Sequence, residues 1–127
     1  MDRKRILIAD DEQNIRSFYR RLLEKQGYIV EEAESGTLAL QRVYGESFDG
    51  AVFDNNMGGP TGLTILETLR KDERQTPVVI CCAVSSIEEE NKLKLGIEKA
   101  GNARYLPKPV DVSDLRKAVQ ELFGESV

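Results

Sequence analysis

The sequence predicts an α/β fold: a doubly wound parallel sheet of five strands alternating with five helices, in the strand order 2-1-3-4-5 common to such sheets. Short apolar runs alternate along the chain with amphipathic segments of helical period. Glycine, proline and hydroxyl residues punctuate the junctions between them. A chain of 127 residues, 40% hydrophobic and 31% charged, is long enough for one domain with a real core.

Ile6-Leu7-Ile8-Ala9 forms the first strand, and Ile15, Phe18, Tyr19, Leu22 and Leu23 have the spacing of one helix face. Gly27 ends that helix in the left-handed conformation. Tyr28-Ile29-Val30 is the second strand, and Ser35 caps a helix carrying Leu38, Ala39, Val43 and Tyr44. Ala51-Val52-Phe53 is the third, ending at Asp54, with Leu63, Leu66 and Leu69 on a helix begun near Thr61. Pro77 opens the fourth strand, Val78 to Ala83. Ser86-Ile87-Glu88-Glu89 has the form of a capping box before Leu93, Ile97 and Ala100, and Gly101 closes that helix. A fifth strand around Ala103–Leu106, suited to a sheet edge by Pro107, leads to a last helix from Asp111 or Ser113 with Leu115, Val119 and Leu122.

Composition excludes several classes. A net charge of -4 offers no footprint for nucleic acid, and Arg3-Lys4-Arg5 and Arg20-Arg21 read as solvated surface. The longest apolar runs are too short for a membrane span and none has signal-peptide form. Cys81 and Cys82 are neighbours on one strand, a poor geometry for a disulfide, so a reducing cytoplasm is expected.

The topology turns positions into a site. Ligands of such sheets sit beyond the carboxyl ends of the strands, where strand order reverses. Asp10 and Asp11 follow strand one, Asp54 ends strand three, Cys82 strand four and Lys108 strand five. Clustered carboxylates cannot all stay ionised without compensation, and a hard divalent cation supplies it. The plainer alternative makes Asp10 and Asp11 the acidic start of a helix, favoured by its dipole.

Ile8-Ala9-Asp10-Asp11-Glu12, Asp54 with Met57 and Gly62-Leu63, Ala83, and Tyr105-Leu106-Pro107-Lys108-Pro109 occur in the order and on the elements of a known family. Over essentially its whole length the chain resembles the receiver domain of two-component response regulators, a (βα)5 flavodoxin-like fold. The resemblance implies that Asp54 accepts a phosphoryl group from a phosphohistidine on a sensor histidine kinase or histidine phosphotransfer protein. It implies Mg2+ (or Mn2+) held by Asp11, Asp54 and the backbone carbonyl of Asn56, with Asp10 acting mainly through water. Lys108 would pair with Asp54 and then with the phosphoryl group, the Lys108-Pro109 bond would be cis, and Tyr105 would be the aromatic that flips inward. Many receivers dimerise through the face of the fourth helix, fifth strand and fifth helix, the candidate homodimer surface here. Residues 1–127 are then expected to be a single receiver domain, alone or at the front of a longer regulator.

Three departures stand out. Gly58-Gly59-Pro60-Thr61-Gly62 replaces the proline usual after Met57; without a Walker lysine it reads as a flexible loop rather than a phosphate cradle. Cys82 stands where receivers carry Thr or Ser, and a thiol is a weaker donor to a phosphoryl oxygen. The segment from Ala83 to Gly101 is also longer than usual by about one helical turn. A pseudo-receiver, signalling without phosphate, is the alternative that Cys82 favours, and redox or soft-metal sensing by the cysteine pair is another. A haloacid-dehalogenase-like phosphatase would need an acid where Asn56 stands. A flavodoxin-like FMN site would face repulsion from Asp10 and Asp11. The chain has no histidine, so it can receive a phosphoryl group but cannot be the phosphohistidine donor.

Overall fold

In the computed structural model, which describes residues 3–125, strands and helices alternate throughout. They are β1 (Arg5–Ala9), α1 (Gln13–Lys25), β2 (Ile29–Ala33), α2 (Gly36–Gly45), β3 (Gly50–Asp54), α3 (Gly62–Lys71), β4 (Val78–Cys82), α4 (Ile87–Ala100), β5 (Ala103–Pro107) and α5 (Val112–Phe123). All strand pairs are parallel and the sheet order is β2-β1-β3-β4-β5, as the alternation predicts. No described helix is long and apolar enough to cross a membrane.

Side chains of a strand alternate between faces, so each central strand feeds two cores. Leu7, Ala51, Phe53, Val78, Ile80 and Cys82 pack beneath α2, α3 and α4. Ile6, Ile8, Val52, Val79 and Cys81 pack beneath α1 and α5. The two cysteines therefore belong to opposite layers although adjacent in sequence. Central side chains such as Ile8 and Phe53 are fully buried, each contributing roughly 1.5–3 kcal/mol relative to exposure.

Local signals hold at most helix ends. Ser35, Thr61, Ser86 and Asp111 each accept a capping bond from the backbone N–H three residues on. The capping box at α4 closes only on one side: Glu89 turns back to the backbone N–H and hydroxyl of Ser85 instead of Ser86. Gly27 and Gly101 hold φ of 97° and 78° at the ends of α1 and α4.

Three expectations are corrected. The second strand begins at Ile29 rather than Tyr28 and runs on through Glu31 and Glu32 to Ala33. Those acids hide a strand in an apolar scan. They are tolerated on this edge because Arg42 reaches Glu31, while Arg16 and Arg20 reach Glu32. Phe18 and Leu38, placed on core faces by spacing, are each 40% exposed, since the packed stripes centre on Tyr19, Leu22 and Leu23 and on Ala39 and Val43. The glycine-rich loop is docked: the N–H of Gly36 bonds the carbonyl of Gly58 at 2.7 Å. A Cβ on Gly36 would stand 2.0 Å from the carbonyl oxygen of Pro60, so α2 and the loop meet backbone to backbone.

Basic residues near the start are equally engaged. Lys4 donates to the carbonyl of Phe123, and Arg5 lies 4.7 Å over the Phe48 ring and 2.9 Å from Glu46. Arg42 and Arg5 together hold the Glu46 carboxyl down at about 2. Because the folded-state value lies below the ordinary one, the stabilisation is present above about 4.5 and fades as pH falls toward about 2. Glu46→Gln should therefore be less stable than the parent near neutrality, and urea midpoints measured against pH should converge in acid. A stability gap that stays constant in acid would contradict this role.

Candidate functional site

The acidic groups are placed by strand ends. Asp10 follows β1, its N–H bonding the carbonyl of Ala33 at 3.2 Å, and its side chain is fully buried. One carboxylate oxygen accepts the Glu12 N–H at 2.9 Å and the other accepts from Lys108 Nζ at 2.9 Å. Asp11 is exposed beside it. Asp54, the last residue of β3, is 6% exposed. Carboxylate oxygens of Asp10, Asp11 and Asp54 all lie within 4.8 Å of one another.

Lys108 enters from β5, its N–H bonding the carbonyl of Cys82 at 3.0 Å, and the Lys108-Pro109 bond is cis. Its ammonium is 3.4 Å from Asp54 Oδ1 and closer to Asp10. The pairing expected with Asp54 is thus shared, with Asp10 the nearer partner. Burial works against the ammonium, but the bond to Asp10 and the charges of Asp10 and Asp54 raise its pKa overall. For Asp54, burial pushes the carboxyl up, Lys108 opposes this and Asp10 adds to it, with a net rise. Three carboxylates facing one ammonium form an oxygen-rich, under-neutralised cluster that fits a hard divalent cation. The helix-start alternative fares worse, since α1 begins at Gln13 with no acid in its first turn.

Asn56 links the acidic cluster to the thiol. Its N–H lies 3.4 Å from Asp54 Oδ1 and its side-chain amide 3.6 Å from Cys82 Sγ. Cys82 is buried, and its thiol faces the carbonyl of Ala83 at 3.6 Å. Burial, then the charge of Asp54, pushes this thiol up, and burial pushes Cys81 up to about 12. Redox and soft-metal chemistry need thiolates, so both environments argue against that alternative. Tyr105, half-buried on β5, donates its hydroxyl to Glu90 Oε2 at 2.9 Å. Burial and then this bond push the phenol up to about 12.

Several residues of the neighbourhood escaped sequence reasoning. Arg16 Nη1 bonds the carbonyl of Asp10 at 2.8 Å, from the polar face of α1 where nothing in the spacing marks it. Asn55 bonds β4 through its N–H and caps Leu63 through its side chain, seating α3 against the end of β3. Gly62 permits that approach, because a Cβ there would stand 3.1 Å from the carbonyl oxygen of Asp54.

Known proteins share this arrangement of elements. The family model described as "Response regulator receiver domain" matches residues 6–120. The chemotaxis protein CheY of Pseudomonas aeruginosa is 30% identical over 94% of this chain and 95% of that protein. Response regulator MprA of Mycobacterium ulcerans is 33% identical over 94% of this chain, which spans only 50% of MprA. The receiver domain of a Francisella response regulator superposes with a TM-score of 0.82 at 31% identity, covering 94% of this chain and 96% of that one. Thermotoga maritima TrrA, solved in complex with Mg2+-BeF, matches with a TM-score of 0.79 at 29% identity, covering 94% and 98%.

Proposed function

The chain belongs to the response regulator receiver domain family, and from that premise we propose that it accepts a phosphoryl group onto Asp54 in a Mg2+-dependent reaction and signals by a change of conformation. The observation that carries this is the convergence of three carboxylates within 4.8 Å with one lysine reaching two of them. Asp54 supplies the attacking oxygen; a P–O bond forms as the P–N bond of the phosphohistidine breaks. Lys108, placed between Asp10 and Asp54, is free to follow the new negative charge as a point cation. A bound Mg2+ or Mn2+, held by Asp11, Asp54 and the carbonyl of Asn56 with Asp10 acting mainly through water, would neutralise the phosphoryl oxygens. The Mg2+-BeF complex of the T. maritima relative supports binding of Mg2+ at the acidic cluster.

The donor is a sensor histidine kinase or histidine phosphotransfer protein in the cytoplasm. The chain acts as a signalling domain, catalysing at most its own phosphorylation and dephosphorylation, with α4, β5 and α5 as the homodimer face. No role in nucleic-acid or membrane binding is assigned to it. The test is incubation with Mg2+ and acetyl phosphate followed by intact mass measurement. One phosphoryl adduct per chain is expected. No adduct with any donor would favour the pseudo-receiver, the reading that Cys82 supports.

Cys82 is expected to weaken signalling rather than chemistry. A hydroxyl there would donate a charge-assisted bond worth roughly 1.5–3 kcal/mol, and a thiol donates far less. A loss of about 1.4 kcal/mol changes a population ratio tenfold. Cys82→Thr should enlarge the beryllofluoride-induced NMR shifts around Tyr105 and α4 with little change in Mg2+ affinity. Equal switching in both proteins would show the thiol to be an adequate substitute.

A further inference from the structure

Tyr105 is tied to α4 by a closed set of contacts. Its hydroxyl donates to one oxygen of Glu90 at 2.9 Å, and the other oxygen lies 3.6 Å from Lys94 Nζ. The same ammonium stands 5.6 Å from the centroid of the Tyr105 ring. Hydroxyl, carboxylate, ammonium and ring thus form a cycle between α4 and β5. Glu90 and Lys94 are four residues apart on one helix face, so the backbone of α4 sets their spacing before Tyr105 arrives. Glu90 is 22% exposed, which leaves its bond to the phenol partly shielded from water. Glu89, the neighbouring acid, is engaged elsewhere at Ser85.

We propose that Glu90 is a positioning residue that holds Tyr105 outward, against α4, and so sets how readily this receiver switches. The proposal rests on the assignment of Tyr105 as the switch aromatic and deepens it. Movement of the ring toward Cys82 must break the hydroxyl–carboxylate bond, because Glu90 is anchored on α4 and to Lys94. The outward state is therefore favoured by whatever that bond is worth. A ligand that binds the inward state better must overcome this bias, so releasing it raises the ligand's apparent affinity. For a bond to a charged acceptor that is partly exposed, the bias corresponds to about tenfold in the population ratio.

The position is suited to test by substitution. α4 keeps its Ser86 cap, and Glu88 and Glu89 remain in the first turn if Glu90 is replaced. Alanine is also the best helix former, so Glu90→Ala leaves the helix intact.

The whole chain, labelled with 13C-tyrosine, would be compared with Glu90→Ala, Glu90→Gln and Lys94→Ala, the Tyr105 signal being assigned by Tyr105→Phe. Without any ligand, the Tyr105 resonance should move in Glu90→Ala, move less in the same direction in Glu90→Gln, which retains an acceptor oxygen, and move least in Lys94→Ala, which keeps the hydroxyl–carboxylate bond. Titration with Mg2+ and beryllofluoride should give an apparent affinity about tenfold tighter for Glu90→Ala than for the parent. That gain should vanish in a Tyr105→Phe background. An unmoved Tyr105 resonance in Glu90→Ala, or an affinity gain that survives Tyr105→Phe, overturns the proposal. If the resonance moves but the parent binds no beryllofluoride, Glu90 still positions Tyr105 and it is the phosphoryl-acceptor reading that fails.

Discussion

Replacing Asp54 by asparagine is expected to abolish the phosphoryl adduct entirely, with no residual mass shift under Mg2+ and acetyl phosphate. An amide oxygen of near-identical shape still fits the end of β3, but it is not a nucleophile at phosphorus, and no other carboxylate takes over. Asp10 is fully buried and engaged by Lys108 and the Glu12 N–H, and Asp11 is exposed on the loop. The same substitution should raise metal-free stability. Burial raises the folded-state pKa of Asp54, so its ionised form is disfavoured in the fold, and that cost grows with pH from the unfolded value up to the folded one. The neutral amide removes the cost, and the gain should be largest at neutral pH and shrink in acid. Intact mass and urea denaturation against pH check both halves. An adduct of undiminished yield in Asp54→Asn would move the acceptor to another residue.

The second large effect concerns the metal. A ligand that binds only the folded state stabilises it as RT ln(1 + [L]/Kd), about 2.7 kcal/mol at a hundredfold excess over Kd. For a chain of this size that is an increase of about 10 °C in melting temperature. Asp11→Asn should lose most of this Mg2+-dependent rise, because the cluster loses its most accessible anionic oxygen. It should also be somewhat more stable than the parent without metal, as one repulsive charge is gone. That second gain should be smaller than for Asp54→Asn, since Asp11 is exposed and its repulsion is screened by water. Thermal melts with and without MgCl2 decide it. A variant that gains as much as the parent on adding Mg2+ would remove Asp11 from the ligand set.

The pairing of Lys108 with Asp10 as well as Asp54 bears on both results. The lysine offsets part of the repulsion at either carboxylate, so removing one leaves it paired with the other. Effects of Asp10, Asp54 and Lys108 substitutions should consequently be non-additive. Glu90 lies outside this cluster and acts only through Tyr105, so changes there should leave Asp54 as the acceptor while favouring the phosphorylated state, as they favour beryllofluoride binding.

The alternation of strands and helices, the helix caps and the strand ends at which Asp10, Asp54, Cys82 and Lys108 stand were all legible in the sequence. These rest on local physics: side-chain period, the need of helix ends for capping oxygens, and the φ values open to glycine. A parallel sheet then converts strand ends into neighbours, which is why the convergence of these residues could be read from the chain alone. How charges are paired across elements was decided only in three dimensions. Nothing local in Glu31-Glu32 reveals a strand, because its tolerance depends on Arg16, Arg20 and Arg42 from two helices. Nothing in Gly58-Gly59-Pro60 shows that the loop is docked on Gly36. The nearer partner of Lys108 and the hold of Glu90 on Tyr105 are likewise matters of long-range distance. Electrostatic and hydrogen-bond energies depend on where side chains meet, and residues 98 positions apart, as Asp10 and Lys108 are, meet only once the sheet has formed.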